Sequence, residues 1–215
     1  ASKALEHAIC QQKYDVYDLL VQDGVSLKMK NLPPFIWGFQ ISLESVKKAI
    51  QHLKDTGNWD PKCDDASNTL EAAICQQKCD AHDLLVQNGV SLKMKNLLHV
   101  IRKPKISLDT LKKIIQHLKV TDNWNPKCDD ASDALEAAIY ANKFDVYDLL
   151  VQKGVSLKIK NFSAVIRGFQ IPLEFVKKAI QHLKDNDNWD SKCDDATKAL
   201  EYAICQQKYD VYDLL

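Results

Sequence analysis

Residues 135–157 decide the fold, and they read LEAAIYANKFDVYDLLVQKGVSL. The second part of this stretch has apolar residues at helical spacing, with Val146, Leu149 and Leu150 at positions i, i+3 and i+4. Gly154 follows, and glycine readily adopts the left-handed conformation that ends a helix. The stretch therefore predicts two short helices joined by a tight turn. No period-2 alternation of a β-strand competes with this interpretation.

The same stretch returns at a constant spacing without a gap, because the Leu-Glu pair that opens it recurs at Leu5, Leu70, Leu135 and Leu200. Glycine, tryptophan and histidine residues recur with it, at Gly24, Gly89 and Gly154, at Trp59, Trp124 and Trp189, and at His52, His117 and His182. Self-similarity of this kind indicates a repeat protein. We predict one array over 1–215, with repeats 5–69, 70–134 and 135–199 and a partial fourth repeat 200–215.

Each repeat has room for four helices. In the second repeat the pattern predicts helices over 67–77, 80–88 and 96–103, and a fourth helix that starts near Ser107. Asp64, Asp65 and Ser67 are the cap candidates for the first of these. Short amphipathic helices bury their apolar faces only against neighbours. We therefore expect an all-α fold, a tandem-repeat α-solenoid of stacked helix-turn-helix pairs.

The helical half of each repeat resembles the ankyrin-repeat family. Leu135-Glu136-Ala137-Ala138-Ile139 lies where that family has Leu-His-x-Ala-Ala, and 142–157 is similar to its Asn-Gly-x-x-x-Val-Val-x-Leu-Leu-Leu-x-x-Gly-Ala-x-Val segment. Half of the repeat length is close to the family's period. The family's Thr-Pro-Leu-His turn is absent, and Ala134-Leu135-Glu136 stands in its place. The resemblance implies a non-catalytic scaffold that binds a protein partner, and another type of α-solenoid is the alternative.

Charge and motifs narrow the class of function further. Lys plus Arg and Asp plus Glu both number 29, so the chain lacks the basic excess of a nucleic-acid-binding protein. No apolar run is long enough for a membrane span. Phosphate-binding loops and nucleophile motifs are absent, so we expect no enzyme and no cofactor.

A recurring set of His52, Cys63, Asp64 and Asp65 contains residue types that bind metals, but its spacing matches no compact metal motif. We therefore expect no metal site. In this interpretation the histidine bonds the last carbonyls of its own helix, and the aspartates cap the next one.

The seven cysteines leave two alternatives. Candidate disulfides are Cys63–Cys75 and Cys193–Cys205, but Tyr140 replaces the partner that Cys128 would need. The other alternative is a set of buried reduced thiols. Reduced thiols would favour a cytoplasmic protein, whereas paired ones would favour an extracellular protein.

Positions that differ between nearly identical repeats are the candidates for partner binding, with drift on a solvated edge as the alternative. The largest difference lies at the end of the third helix of each repeat. There one repeat carries aromatic residues where another carries basic residues. Aromatic and arginine side chains anchor protein interfaces, and basic clusters suit acidic surfaces. The candidates are Trp37, Phe39, Arg102, Lys103, Lys105, Arg167 and Phe169, together with His7 and Tyr202 on the first helices.

Two hypotheses follow for the function. The first is an ankyrin-like repeat scaffold for protein–protein interaction. The second is a secreted or surface multivalent repeat protein, structural or antigenic, because the repeats are unusually alike. A count of free thiols distinguishes the two compartments that they imply.

Overall fold

The computed structural model describes residues 2–38, 41–167 and 172–215, apart from the side chains of Ala164 and Arg167. The prediction of an all-α fold is confirmed, because these residues contain α-helices and one short 3-10 helix and no strand. The longest of the described helices have 13 residues. Among them, none combines the length and apolarity that a bilayer crossing requires.

The helices follow one another in a recurring order of four. Their bounds in the described residues are α1 (Ser2–Cys10), α2 (Tyr14–Gln22), α3 (Leu32–Trp37), α4 (Leu43–Asp55), α5 (Asp64–Cys75), α6 (Cys79–Gln87), α7 (Met94–Ile101), α8 (Leu108–Val120), α9 (Asp129–Tyr140), α10 (Phe144–Gln152), α11 (Ile159–Arg167), α12 (Leu173–Asp185), α13 (Asp194–Cys205) and α14 (Tyr209–Tyr212). A 3-10 helix (Met29–Asn31) precedes α3.

The chain divides into two compact units, Ala1–Asn96 and Leu97–Leu215. In the first, α3 packs on α5, and α4 contacts α6. In the second, α11 packs on α9 and α13, and α8 contacts α10. The boundary between the units falls inside α7, so it does not test the predicted repeat register.

The N-terminus of α5 differs from the prediction. Cys63 is its N-cap, and the Cys63 Sγ accepts a hydrogen bond from the Ala66 N–H at 3.4 Å. Asp64 and Asp65, predicted as caps, are instead in the first turn, where their charges suit the positive end of the helix dipole. Ser67 is buried inside the helix and does not cap it. The same arrangement recurs in α13, where Cys193 accepts from the Ala196 N–H at 3.4 Å.

A buried polar network joins α5 to α7. Asn96 of α7 is fully buried, and its amide donates to Glu71 Oε2 at 2.8 Å. Its side-chain oxygen accepts from the Ser67 hydroxyl and from the Lys93 N–H, the latter at 3.0 Å. The three side chains are thereby paired with one another at the contact between α5 and α7.

The network recurs in the second compact unit with the same residue types. Asn161 of α11 accepts from the Ser132 hydroxyl at 2.7 Å and donates to Glu136. Since buried polar groups are costly without partners, the two arrangements fix how these helices approach each other.

His52 corrects a second prediction. Its ring does not bond the last carbonyls of α4, because the Thr56 hydroxyl donates to the His52 carbonyl at 2.8 Å instead. The buried Nε2 accepts a hydrogen bond from the Leu27 N–H at 3.2 Å. This bond requires an unprotonated Nε2. Burial lowers the pKa of His52, and it also lowers the pKa of His182 in α12.

We expect Asn96→Ala to lower the free energy of unfolding by roughly 1–3 kcal/mol, because Ser67 and Glu71 lose a buried partner. Urea denaturation followed by circular dichroism measures this. Asn58→Ala is the matched control, since among the described residues the Asn58 side-chain amide donates to the exposed Thr56 hydroxyl, and its cost should stay below about 0.5 kcal/mol. Equal losses in the two variants would contradict a structural role for the network.

Acid should weaken the fold through the buried histidines. Their folded pKa values lie below the unfolded value of 6.5, so the unfolded chain binds protons first. The stabilisation is complete above pH 6.5 and declines as the pH falls from 6.5 towards the folded pKa values. Urea titrations across this range should show His52→Gln with a weaker pH dependence than the wild type. An unchanged pH dependence in His52→Gln would contradict this role of the buried histidine.

Candidate interaction surface

A lysine in the turn between α5 and α6 bonds the C-terminus of α3. Lys78 lies between α5 and α6, and its Nζ donates to the Ile36 carbonyl at 2.7 Å and to the Gly38 carbonyl at 2.5 Å. The last carbonyls of a helix have no partner within the helix, and they form the negative end of its dipole. The ammonium therefore satisfies the C-terminus of α3 with a charge-assisted hydrogen bond.

Two further lysines repeat this contact within the second compact unit. Lys143 Nζ donates to the carbonyls of Ile101 and Lys103 at 2.8 and 2.6 Å. Lys208 Nζ donates to the Ile166 carbonyl at 2.8 Å. All three lysines are half-buried, and this burial lowers the pKa of each.

The hairpin turn that positions Lys78 has an unusual backbone. Gln77 has a φ of 55°, in the left-handed region that favours glycine. The Lys78 N–H bonds the Ala73 carbonyl at 2.9 Å, and the Gln77 N–H bonds the Ile74 carbonyl at 3.0 Å. This pair of bonds closes the C-terminus of α5 as a Schellman motif. Gln12, Asn142 and Gln207 occupy equivalent turns with similar φ values.

We call the segments held by these lysines the anchored corners, and they comprise 36–38, 101–105 and 166–167. They carry most of the predicted binding residues. Trp37 lies between the two carbonyls that Lys78 bonds, and its side chain is 36% exposed. Arg102 and Lys105 are exposed, whereas Lys103 is half-buried and its carbonyl accepts from Lys143. The corners therefore present variable side chains on a backbone that a constant lysine holds.

The remaining predicted residues are placed differently. Phe39 and Phe169 lie outside the described residues, as does the side chain of Arg167. His7 is exposed on α1 and Tyr202 is half-buried on α13, so neither belongs to an anchored corner.

A cleft of about 300 Å³ opens beside Lys78 in the first compact unit. Apolar side chains of Leu43, Val46 and Ala81 line it, and Asp80 and Lys78 add polar groups. The sequence did not identify these lining residues as a site, because their spacing is that of ordinary amphipathic helices. Lys78 is the residue that the cleft shares with the contact to Ile36 and Gly38.

A second groove of about 550 Å³ runs between α4 and its neighbours. Its lysines are engaged within the protein. Lys48 Nζ lies 4.3 Å from the ring centroid of Tyr14 and 3.6 Å from Asp18, and Lys54 donates to the Asn88 side chain at 2.6 Å. This groove therefore offers a ligand few charged groups that are not already paired within the protein.

The candidate disulfides do not fit the structure. Cys63 caps α5 and Cys75 ends it, so the two α-carbons are separated by about 18 Å at 1.5 Å per residue. A disulfide needs a separation below about 7 Å. Cys193 and Cys205 occupy the same two positions on α13. The intact helices therefore exclude both bonds, because a spacing that looks short in sequence is extended along a helix.

The described residues contain no group of three or more His, Cys, Asp or Glu side chains that could hold a metal ion. Cys10 is half-buried at the end of α1. Burial and the nearby Glu6 carboxylate raise the pKa of Cys10 and outweigh the opposing charge of Lys78. This thiol is therefore protonated and poorly nucleophilic at neutral pH.

Comparisons with known proteins return no relative. No protein-family model, no curated protein and no solved structure matches the chain.

We expect Lys78→Met to lower the free energy of unfolding by roughly 1–2 kcal/mol, because the last carbonyls of α3 lose a charged donor. Lys13→Met is a control from the same Gln-Gln-Lys sequence, since Lys13 is exposed and its ammonium bonds no described residue. Urea denaturation at low protein concentration compares the two. An equal effect of both substitutions would show that Lys78 acts through its general charge rather than as a helix cap.

Proposed function

We propose that this protein is a non-catalytic, ankyrin-like repeat scaffold that binds a protein partner through its anchored corners. The observation that carries the proposal is the combination of a constant lysine with variable neighbours. Lys78 and Lys143 make the same bonds, while the residues they hold change from Trp37 to Arg102 and Lys105. A constant backbone with variable side chains is what a tailored binding surface requires.

Rigidity supports this assignment. Side chains on a backbone that is already ordered lose less conformational entropy on binding than those on a mobile loop. The lysine bonds order the corner before a partner arrives, and the buried networks around Asn96 and Asn161 fix the helices beneath it. The free energy of binding is then not reduced by the cost of ordering the corner.

The side chains indicate two kinds of contact. Trp37 is a large, partly exposed aromatic residue, so it suits a hydrophobic pocket or edge on a partner. Arg102 and Lys105 are exposed cations in a chain of zero net charge, so they suit an acidic patch. The scaffold assignment requires no catalytic group and no cofactor.

The architecture proposed for this scaffold is an α-solenoid of stacked helix pairs. Its support is the recurring order of helices and the recurrence of the same polar network in both compact units. The ankyrin-like pattern of the helical half-repeats supports the same assignment.

The alternative, a secreted or surface multivalent repeat protein, rests on the likeness of the repeats. It loses the disulfide pairs proposed for it, because α5 and α13 hold their cysteines at opposite ends. Any oxidised form would have to pair other cysteines.

Trp37→Ala and Arg102→Ala test the scaffold. We expect each substitution to weaken binding of a shared partner about tenfold or more, as truncation of interface anchors does. Affinity capture with the whole chain and quantitative mass spectrometry identifies candidates, and calorimetry with the purified partner measures the Kd.

Val120→Ala is the matched control, because Val120 is 75% exposed at the end of α8 and lies outside the corners. Circular dichroism confirms that the three variants fold alike. Partners that bind all three variants with wild-type affinity would contradict the proposal.

A further inference from the structure

The cleft of about 300 Å³ beside Lys78 lies between two contacting helices of the first compact unit. Helix α4 supplies Leu43 and Val46 to its lining, and the start of α6 supplies Asp80 and Ala81. Val46 and Ala81 are the two buried residues of the lining, at 1% and 4% exposed. The cleft therefore reaches into the contact between α4 and α6.

The corresponding contact in the second compact unit is made with larger side chains. Helices α8 and α10 contact each other there, and they carry Leu111 and Val146 at the positions of Val46 and Ala81. Leucine has one carbon atom more than valine, and valine has two more than alanine. The pair in the first unit is therefore smaller by three carbon atoms, and this difference leaves room between α4 and α6.

The cleft leaves apolar surface of the first unit partly uncovered. Ile41, just before α4, lines the cleft and is half-buried, whereas its counterpart Ile106 in the second unit is buried. An apolar group that entered the cleft would remove this surface from water, which is favourable. A volume of about 300 Å³ is at the lower limit of ligand clefts, so it suits one side chain better than a cofactor.

The charged residues of the lining indicate what should flank that side chain. Lys78 and Asp80 are the two charged residues that line the cleft. The Lys78 ammonium is engaged by the carbonyls of Ile36 and Gly38. Asp80 is exposed, and its carboxylate forms no ion pair with another of the described residues. The charge that is left for a ligand is therefore negative, and it complements a cation.

We propose that this cleft binds an apolar side chain of a protein partner, of the size of leucine or phenylalanine, that is followed by a lysine or arginine. The apolar side chain lies against Leu43, Val46 and Ala81, and the cation pairs with Asp80. This rests on the proposed scaffold function, since the segment belongs to a protein partner. It adds a second contact to the anchored corner 36–38, with which the cleft shares Lys78.

Peptide titration followed by two-dimensional NMR of the isotope-labelled whole chain tests the cleft directly. The probe is the capped tetrapeptide Gly-Phe-Lys-Gly, and we expect it to shift the amide resonances of Val46 and Ala81. Gly-Ala-Lys-Gly should bind about tenfold more weakly, because a methyl group covers little of the apolar surface. Gly-Phe-Glu-Gly should bind about threefold more weakly, because its carboxylate is repelled by that of Asp80.

Two variants fill the cleft with the side chains that the second unit has at the same positions. Ala81→Val and Val46→Leu should each raise the Kd for Gly-Phe-Lys-Gly about tenfold or more, and circular dichroism shows whether each keeps its fold. Asp80→Asn should remove the preference for the lysine peptide over the glutamate peptide. Asp145→Asn is the matched control, because Asp145 has the same position at the start of α10, and it should bind as the wild type does.

The peptide assay uses no partner, so its result is separate from that of the anchored corners. A partner that loses affinity with Trp37→Ala supports the scaffold whether or not the cleft binds the peptide. Peptide binding that is lost in Ala81→Val supports the cleft whether or not such a partner is found.

The proposal is overturned if the peptide leaves the Val46 and Ala81 resonances unchanged, or if the folded Ala81→Val and Val46→Leu variants bind it as the wild type does. Equal binding of the lysine and glutamate peptides would also overturn it, because the flanking cation would then have no role. A shift of the same resonances with protein concentration alone would place a second copy of the chain in the cleft and exclude the proposed occupant.

Discussion

The hydrogen bond from a hairpin lysine to the end of a preceding helix is the contact on which the rest of this structure depends. Helices of six to thirteen residues are marginal on their own, and their carbonyl ends need partners. Lys78 supplies that partner for α3 from 42 residues away. One side chain thereby ends a helix, orders the segment after it and joins two hairpins. The variable residues at the corners are presented by this single bond.

Buried polar side chains add further hydrogen bonds between the helices. Asn96 and Asn161 each link a serine and a glutamate in the buried space between a first and a third helix. Apolar contacts alone would allow these short helices to slide, because dispersion and burial are not directional. Hydrogen bonds with defined geometry remove that freedom, and His52 adds one more to the loop that contains Leu27.

The helices were predictable from the sequence because periodicity and turn residues are local signals. The helices predicted over 67–77, 80–88 and 96–103 correspond to α5, α6 and α7 with shifts of a few residues at their ends. The helix caps were not predictable, since cysteine is a rare N-cap and the aspartates beside it are better ones by propensity. The disulfide alternative does not fit, because the helix that the sequence predicts over 67–77 already places Cys63 and Cys75 beyond the reach of a disulfide.

The lysines show a second limit of sequence reasoning. Lys78 follows two glutamines in a polar turn, and a lysine in that setting is typical of a solvated surface. Only the three-dimensional placement brings it to the carbonyls of α3. For the same reason the sequence indicated Trp37 and Arg102 as variable residues but not the anchor that they share.

The number of residues between each lysine and its carbonyl acceptor is constant, and this affects how the gene can change. Each lysine finds an isoleucine carbonyl 42 positions before it, at Ile36, Ile101 and Ile166. Removing or duplicating a segment of one repeat length keeps that distance, so every junction still joins a matched donor and acceptor. Unequal recombination between copies would therefore alter the number of anchored corners and keep the lysine contact at each of them.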